Sequence, residues 1–165
     1  MRPLINVFRG EHRFLSNFYK LKKPVVFEGM LYDTVECAYV ASKTVHAGTR
    51  YRISLMNPSV AKKFGDGIFK NSISPNPKWS DEYRIEVMTD LVRQKFKKNP
   101  DLAEKLIATK DAELIGGNYW HDNFFGVCFC GHCPKEKIRP LEERNQLGKI
   151  LEKVREELVR EKEGN

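Results

Sequence analysis

The chain has 165 residues, 41% of them hydrophobic and 31% charged, with 29 Lys and Arg against 22 Asp and Glu for a formal charge of +7. That length and balance suit one folded domain with its own core and argue against wholesale disorder. The longest apolar runs are about six residues, too short to span a bilayer, and "MRPLINVFRG" lacks the apolar stretch of a signal peptide. The expected compartment is therefore cytoplasmic, with no membrane partner. A positive balance favours nucleic acid or phosphorylated metabolites as partners, unless it is only solvated lysine on helix faces. Four cysteines without a secretion signal argue against a disulfide framework.

In chain order, "PLINVF" (3–8) has strand composition, and "PVVFEGMLY" (24–32) reads as a hairpin turning at Glu28-Gly29. Asp33 or Thr34 can cap a helix running through "TVECAYVASKTVHA", with Val35, Ala38, Ala41 and Ser42 on one side. Asn57-Pro58 opens a short helix to Phe64 that "GDG" stops. The spacing of Ile85, Met88, Leu91, Val92 and Phe96 predicts a helix over 80–98, capped by Ser80. "NPDLAEKLIAT" opens another, "AELIGG" is a strand candidate, and Leu147, Ile150, Leu151, Val154 and Leu158 stripe a last helix over about 145–160. The expectation is a mainly α protein with a few short β-strands, α+β in class, as a single domain over 1–160 with a frayed end at 161–165. There is no βαβ alternation, phosphate loop or dinucleotide fingerprint.

Several segments carry residues able to do chemistry. Glu36 and Lys43, seven positions apart on the expected helix, would share a face about 10.5 Å apart along the axis, with Tyr39 between them. Partial burial among Val, Ala and Tyr would move both towards useful acid, base or nucleophile values; the alternative is a solvent-facing charge pair. In "RFLSNFY" (13–19), Ser16 and Asn17 lie between Phe14, Phe18 and Tyr19, which suits either a ligand pocket or a capped turn over core aromatics. Trp79, at the head of the long helix, could stack on a base or anchor the helix. "NYWHDNFFGVCFCGHC" (118–133) holds Asp122 between His121 and Asn123 in a turn bounded by Trp120 and Phe124-Phe125, with Asn118 just upstream. Its cysteines suggest a metal knot. However, zinc ligands usually come as two separated pairs, and Cys128, Cys130, His132 and Cys133 fall within six residues, where they cannot easily surround one ion. Alternation with Val127 and Phe129 gives Cys128 and Cys130 a packing role instead. Cys130 and Cys133 have C-x-x-C spacing but open no helix, which disfavours redox chemistry. No metal and no cofactor is expected.

The ordered set "FLSNFY", hairpin, "YDTVECAYVASKT", "W…VMTDLVRQKF", "NYWHDNFFG" and "NQLGKILEKVREEL" resembles the YbiA-like, or NADAR, family over about residues 7–158. The resemblance implies a compact, mainly helical fold and hydrolysis of N-glycosidic bonds at ribose C1. Two substrate classes come with it: ADP-ribose on guanine in DNA or RNA, and phosphorylated ribosylamino-pyrimidine intermediates of riboflavin synthesis. The first implies functional pairing with an ADP-ribosyltransferase. By the same resemblance Glu36, Asp122, Ser16, Asn17, Phe18, Trp79 and Asn145 match positions of the family's site, and Lys43 matches the basic residue that attacks C1. The mechanism expected from these residues has Lys43 as nucleophile or C1-facing cation, Glu36 and Asp122 sharing acid/base work, and Tyr39, Asn118 and Trp120 joining Ser16, Asn17, Phe18, Trp79 and Asn145 in binding substrate. Phe125 stands where many members have Trp, which removes an indole N–H. Two rivals remain: a non-catalytic ADP-ribose-binding module, and a zinc-dependent interaction domain centred on 128–133.

Overall fold

The computed structural model describes residues Met1–Gly164. In chain order it contains β1 (Leu4–Ile5), a 3₁₀ turn (Gly10–Leu15), β2 (Val25–Phe27), β3 (Met30–Tyr32), α1 (Val35–Ala41), α2 (Ala47–Ser54), α3 (Pro58–Asp66), α4 (Asp81–Lys98), α5 (Pro100–Ala108), β4 (Glu113–Leu114), β5 (Gly117–Asn118), β6 (Val127–Cys128), two further 3₁₀ turns (Lys135–Lys137, Leu141–Glu143) and α6 (Gln146–Glu163). Helices dominate and the strands are two or three residues long, as the α+β expectation has it. No helix among the described residues is long and apolar enough to cross a membrane. The last helix runs past its expected end near 160, to Glu163; Asn165 lies outside the described residues. The described chain forms two compact units, Asn17–Pro100 and Met1–Ser16 with the described residues from Asp101 onward.

In the Asn17–Pro100 unit, local signals set most boundaries. Glu28 (φ 48°) and Gly29 (φ 77°) make the two-residue turn of the β2–β3 hairpin, both in the left-handed region that such turns require. Thr34, Asn57 and Ser80 cap α1, α3 and α4 by accepting from the backbone N–H groups of Cys37, Val60 and Tyr83. The hairpin meets α4 through Gln94, whose side chain accepts from the Val26 N–H (2.7 Å) and donates to the Val26 carbonyl (2.9 Å), like a further strand residue. Around α1 the packing is dense: Val35, Ala38, Val40 and Ala41 are essentially buried, as are Ile53, Ala61, Ile68, Met88, Leu91 and Val92.

The expected helix over 34–47 stops at Ala41, and a new helix, α2, begins only at Ala47. α1 ends at Ala41 because the carbonyls beyond it are claimed from 73–76. The Asn76 side chain donates to the Ser42 carbonyl (2.9 Å) and its backbone N–H to the Lys43 carbonyl (2.8 Å). The Thr44 hydroxyl reaches the Ile73 carbonyl at 2.9 Å, and Thr44 bridges Pro75. These bonds satisfy end-of-helix carbonyls that would otherwise need water.

In the other unit, β1 pairs in parallel with β4 rather than extending over 3–8. β5 pairs in parallel with β6, so the expected strand "AELIGG" is split between two pairings. The first turn of α6 finds its acceptors in the preceding loop. The N–H groups of Asn145, Gln146 and Leu147 donate to the carbonyls of Gly126, Phe124 and Phe125. Asn145, itself left-handed at φ 58°, accepts from the Gly116 N–H (3.0 Å) and donates to the Leu114 carbonyl (2.9 Å). Gly148 lies so close that a Cβ there would stand 1.9 Å from the Leu114 carbonyl oxygen. Gly148→Ala is thus expected to cost at least about 2 kcal/mol, read as a shift in the urea unfolding midpoint.

Lys95 is a departure from simple helix patterning. It sits among Leu91, Val92 and Phe96 on the buried face of α4 and is 1% exposed. Its Nζ lies 5.3 Å from the centre of the Phe96 ring and 5.9 Å from that of Tyr19. Burial pushes the amine down from 10.5 to about 7. Below that value both folded and unfolded chains hold the proton; above it the folded chain releases its proton while the unfolded chain keeps it. Stability should therefore rise from about pH 7 towards the ordinary lysine range, by up to about 1.4 kcal/mol per pH unit from this group. Urea unfolding of the wild type and of Lys95→Met across this range checks it: the difference between their slopes is the lysine's part.

A candidate active site around Lys43

The break after α1 determines where Lys43 goes. Released from the helix, it no longer shares a helical face with Glu36, so the axial separation expected from a continuous helix does not apply. Its amine instead stands 5.6 Å from the centre of the Tyr39 ring. Gly65 of α3 makes room for it: a Cβ at that position would lie 3.5 Å from Lys43 Nζ and 2.9 Å from Val40 Cγ1. Lys43 is half-buried, and Tyr39 is 7% exposed.

Tyr39 joins Lys43 to a basic-aromatic cluster. Its hydroxyl accepts from Arg84 Nε at 3.1 Å, and its ring lies 5.7 Å from that of Trp79. Trp79 also meets Phe69 at 5.5 Å and Tyr83 at 6.1 Å, with the Arg84 guanidinium 5.9 Å from its ring centre. Trp79 is half-buried, so stacking surface and helix anchoring coexist in one residue. Arg84 was not visible as a site residue because a single Arg in an amphipathic helix reads as surface. Its signal is the preceding Trp-Ser pair, one turn upstream at the α4 N-terminus.

Glu36 occupies the first turn of α1, where a carboxylate is favoured by the helix dipole. Its N–H donates to the Asn17 carbonyl at 3.0 Å, which docks the "SNFY" segment on the start of α1. Asn17 donates to Met88 Sδ at 3.5 Å, while its buried Oδ1 finds no hydrogen-bond partner among the described residues. Such an orphaned acceptor normally costs stability and is a natural place for a ligand donor. Phe18 is half-buried with Lys62 Nζ 5.9 Å from its ring centre. Asn17, Phe18, Glu36, Tyr39, Lys43 and Trp79 thus all belong to the Asn17–Pro100 unit.

The remaining expected residues lie in the other unit, and most are occupied within it. Asn118 is 3% exposed. Its Oδ1 accepts from the Trp120 and Asp122 N–H groups, and its Nδ2 donates to the Asp122 carbonyl at 2.8 Å. Asn145 is equally committed to Gly116 and Leu114. Both asparagines, expected to bind substrate, hydrogen-bond backbone here, each supplying a donor and an acceptor to a loop with unpaired peptide groups. Ser16 closes the first 3₁₀ turn through its N–H to the Arg13 carbonyl. Trp120 is 55% exposed. Asp122 Oδ1 accepts from the N–H groups of Phe124 and Phe125, both at 3.0 Å, leaving Oδ2 without a hydrogen bond among the described residues.

The sequence has relatives among proteins whose names state a function. It is 33% identical to a riboflavin biosynthesis protein of Vibrio vulnificus over 147 residues, covering 89% of this chain and 36% of that protein. It is 30% identical to an N-glycosidase of Acanthamoeba polyphaga mimivirus over 86 residues, half of this chain and 48% of the relative. The chain therefore spans only about a third to a half of these proteins. The NMR structure of the E. coli protein YbiA superposes on all of this chain and 90% of its own, with a TM-score of 0.76 at 25% identity. A match to the NADAR domain over residues 7–159, running through both units, makes the chain a member of the NADAR family.

Proposed function

We propose that the protein is an N-glycosidase that cleaves the bond between ribose C1 and a base nitrogen. The observation that carries this reading is the half-buried Lys43 amine, held beside Tyr39 in a cluster that also contains Trp79 and Arg84. The name of the mimiviral relative, an N-glycosidase, supports the same reaction class. In this mechanism the neutral amine of Lys43 attacks C1. The C1–N bond breaks with its electron pair passing to the base nitrogen, which takes a proton from an acid for which Glu36 is the candidate. Opening of the ribose ring leaves an imine on Lys43, and water hydrolyses it to the free sugar and the free amine. Arg84 suits a phosphate, Trp79 a base face, and the unpartnered Asn17 Oδ1 a hydroxyl or amine of the ligand.

For the substrate we favour ADP-ribosylated guanine in nucleic acid, to which a +7 chain is drawn electrostatically. The Vibrio relative's name supports the second reading, a phosphorylated ribosylamino-pyrimidine intermediate of riboflavin synthesis. Incubating the protein with each substrate and measuring released base separates the two. Lys43→Ala and Glu36→Gln should each lower turnover on the true substrate by at least about 100-fold. Borohydride should also trap a covalent sugar adduct on the wild type and none on Lys43→Ala. Turnover at the wild-type rate in both variants overturns the assignment.

A further inference from the structure

The cysteine-rich segment contains a constellation that the NADAR chemistry does not use. His121, Cys128, Cys130 and Cys133 bring one imidazole nitrogen and three sulfurs within 4.8 Å of one another. The expected fourth member, His132, is absent from this group; its Nδ1 pairs with the Cys130 carbonyl at 2.7 Å instead. The histidine that joins the cysteines comes from upstream. The β5–β6 pairing sets Asn118 beside Cys128, so the intervening loop returns His121 to the sulfurs. The difficulty of wrapping four adjacent residues round one ion disappears, because one ligand approaches from outside the run.

We propose that these four residues form a structural zinc site with one His and three Cys ligands. The separations fit the ion. With Zn–S near 2.3 Å and Zn–N near 2.0 Å, a tetrahedron has edges of about 3.8 Å between sulfurs and about 3.6 Å between sulfur and nitrogen. Cys130 Sγ lies 3.5 Å from Cys133 Sγ and 3.4 Å from His121 Nδ1. A disulfide would need sulfurs about 2.05 Å apart, and all four cysteines of the chain are free.

Further observations point to a built ligand set. Each sulfur receives one N–H: from the His121 backbone to Cys128 (3.4 Å), from the His132 backbone to Cys130 (3.4 Å), and from Asn123 Nδ2 to Cys133 (3.3 Å). Such donors stabilise coordinated sulfur and orient it. Asn123 is 4% exposed and also accepts from the Cys128 N–H at 3.0 Å, so one buried side chain holds two of the cysteine positions. Cys130 and Cys133 flank Gly131 at φ 78°, the tight turn of a C-x-x-C knuckle. Finally, His121 itself is left-handed at φ 70°, an uncommon conformation for a residue with a side chain, maintained where the surroundings demand it.

Thiolate-rich tetrahedral sites select zinc over the harder divalent ions. Loading it displaces the thiol protons, giving a centre of net charge −1 from one Zn²⁺ and three thiolates. Four protein ligands close the coordination sphere, so the ion's task is to hold the loop that also carries Asp122, next to His121 in the chain. This proposal stands independently of the glycosidase reading.

Metal analysis of protein purified under reducing conditions tests it, with about one zinc per chain expected. His121→Ala, Cys130→Ser and Cys133→Ser should each lose at least about nine-tenths of it, whereas His132→Ala should keep it all. If the cysteine variants do not fold, Co²⁺ exchanged into the wild type should show the thiolate charge-transfer and tetrahedral visible bands. A chelator should then expose the three site thiols to a thiol reagent and lower the melting temperature. A wild type that holds no zinc and gives no cobalt bands overturns the proposal. So does loss of metal in His132→Ala with retention in His121→Ala, or isolation of a Cys130–Cys133 disulfide in its place.

Discussion

The arrangement round Lys43 depends on the competition for the carbonyls at the end of α1. Left alone, a segment reading "YVASKTVHA" would continue as helix, and Lys43 would project like any other helical lysine. Asn76 and Thr44 prevent this by offering the Ser42 and Lys43 carbonyls, and those of Ile73 and Ser74, a better set of partners. Each such bond contributes only about 1 kcal/mol net, but an unpaired buried carbonyl would cost more, so the break is strongly preferred. The consequence is chemical: the lysine amine is delivered over the Tyr39 ring and beside the gap left by Gly65.

The second unit uses the same device with different residues. Asn118 and Asp122 satisfy the N–H groups of the loop, and the carbonyls of Phe124, Phe125 and Gly126 satisfy the start of α6. A carboxylate that caps a turn through one oxygen retains the other for chemistry. The turn therefore gives Asp122 a fixed orientation without consuming it. The four-ligand cluster lies on the same loop, so a bound ion would restrain the segment that the short β5–β6 pairing alone holds loosely.

Local sequence decides structure most directly where one rule acts within a few positions. Thr34, Asn57 and Ser80 are caps as their neighbours require, and Glu28-Gly29 turns a hairpin. It decides least where residues far apart compete for the same groups. The split between α1 and α2 comes from Asn76, more than thirty positions downstream of the carbonyl it claims. Asn118 and Asn145 look like ligand-binding amides in a motif, yet both are committed to peptide groups that only the folded loops bring near. Asn118 is recognisable as polar and motif-borne, but its function follows from which peptide groups lack partners. Arg84 and Lys95 show the reverse. Each reads as an ordinary helix cation, and only tertiary packing sets one against Tyr39 and buries the other.

By itself the sequence determined the family motifs, the mainly helical class, the caps and the hairpin, because these rest on backbone chemistry repeated over short spacings. The tertiary structure decided that Lys43 leaves its helix, that Asn118 and Asn145 hydrogen-bond peptide groups, and that His121 rather than His132 meets the cysteines. Those outcomes depend on parallel strand pairing and side chain-to-backbone bonds between distant segments, and no local period or spacing encodes which distant group will arrive.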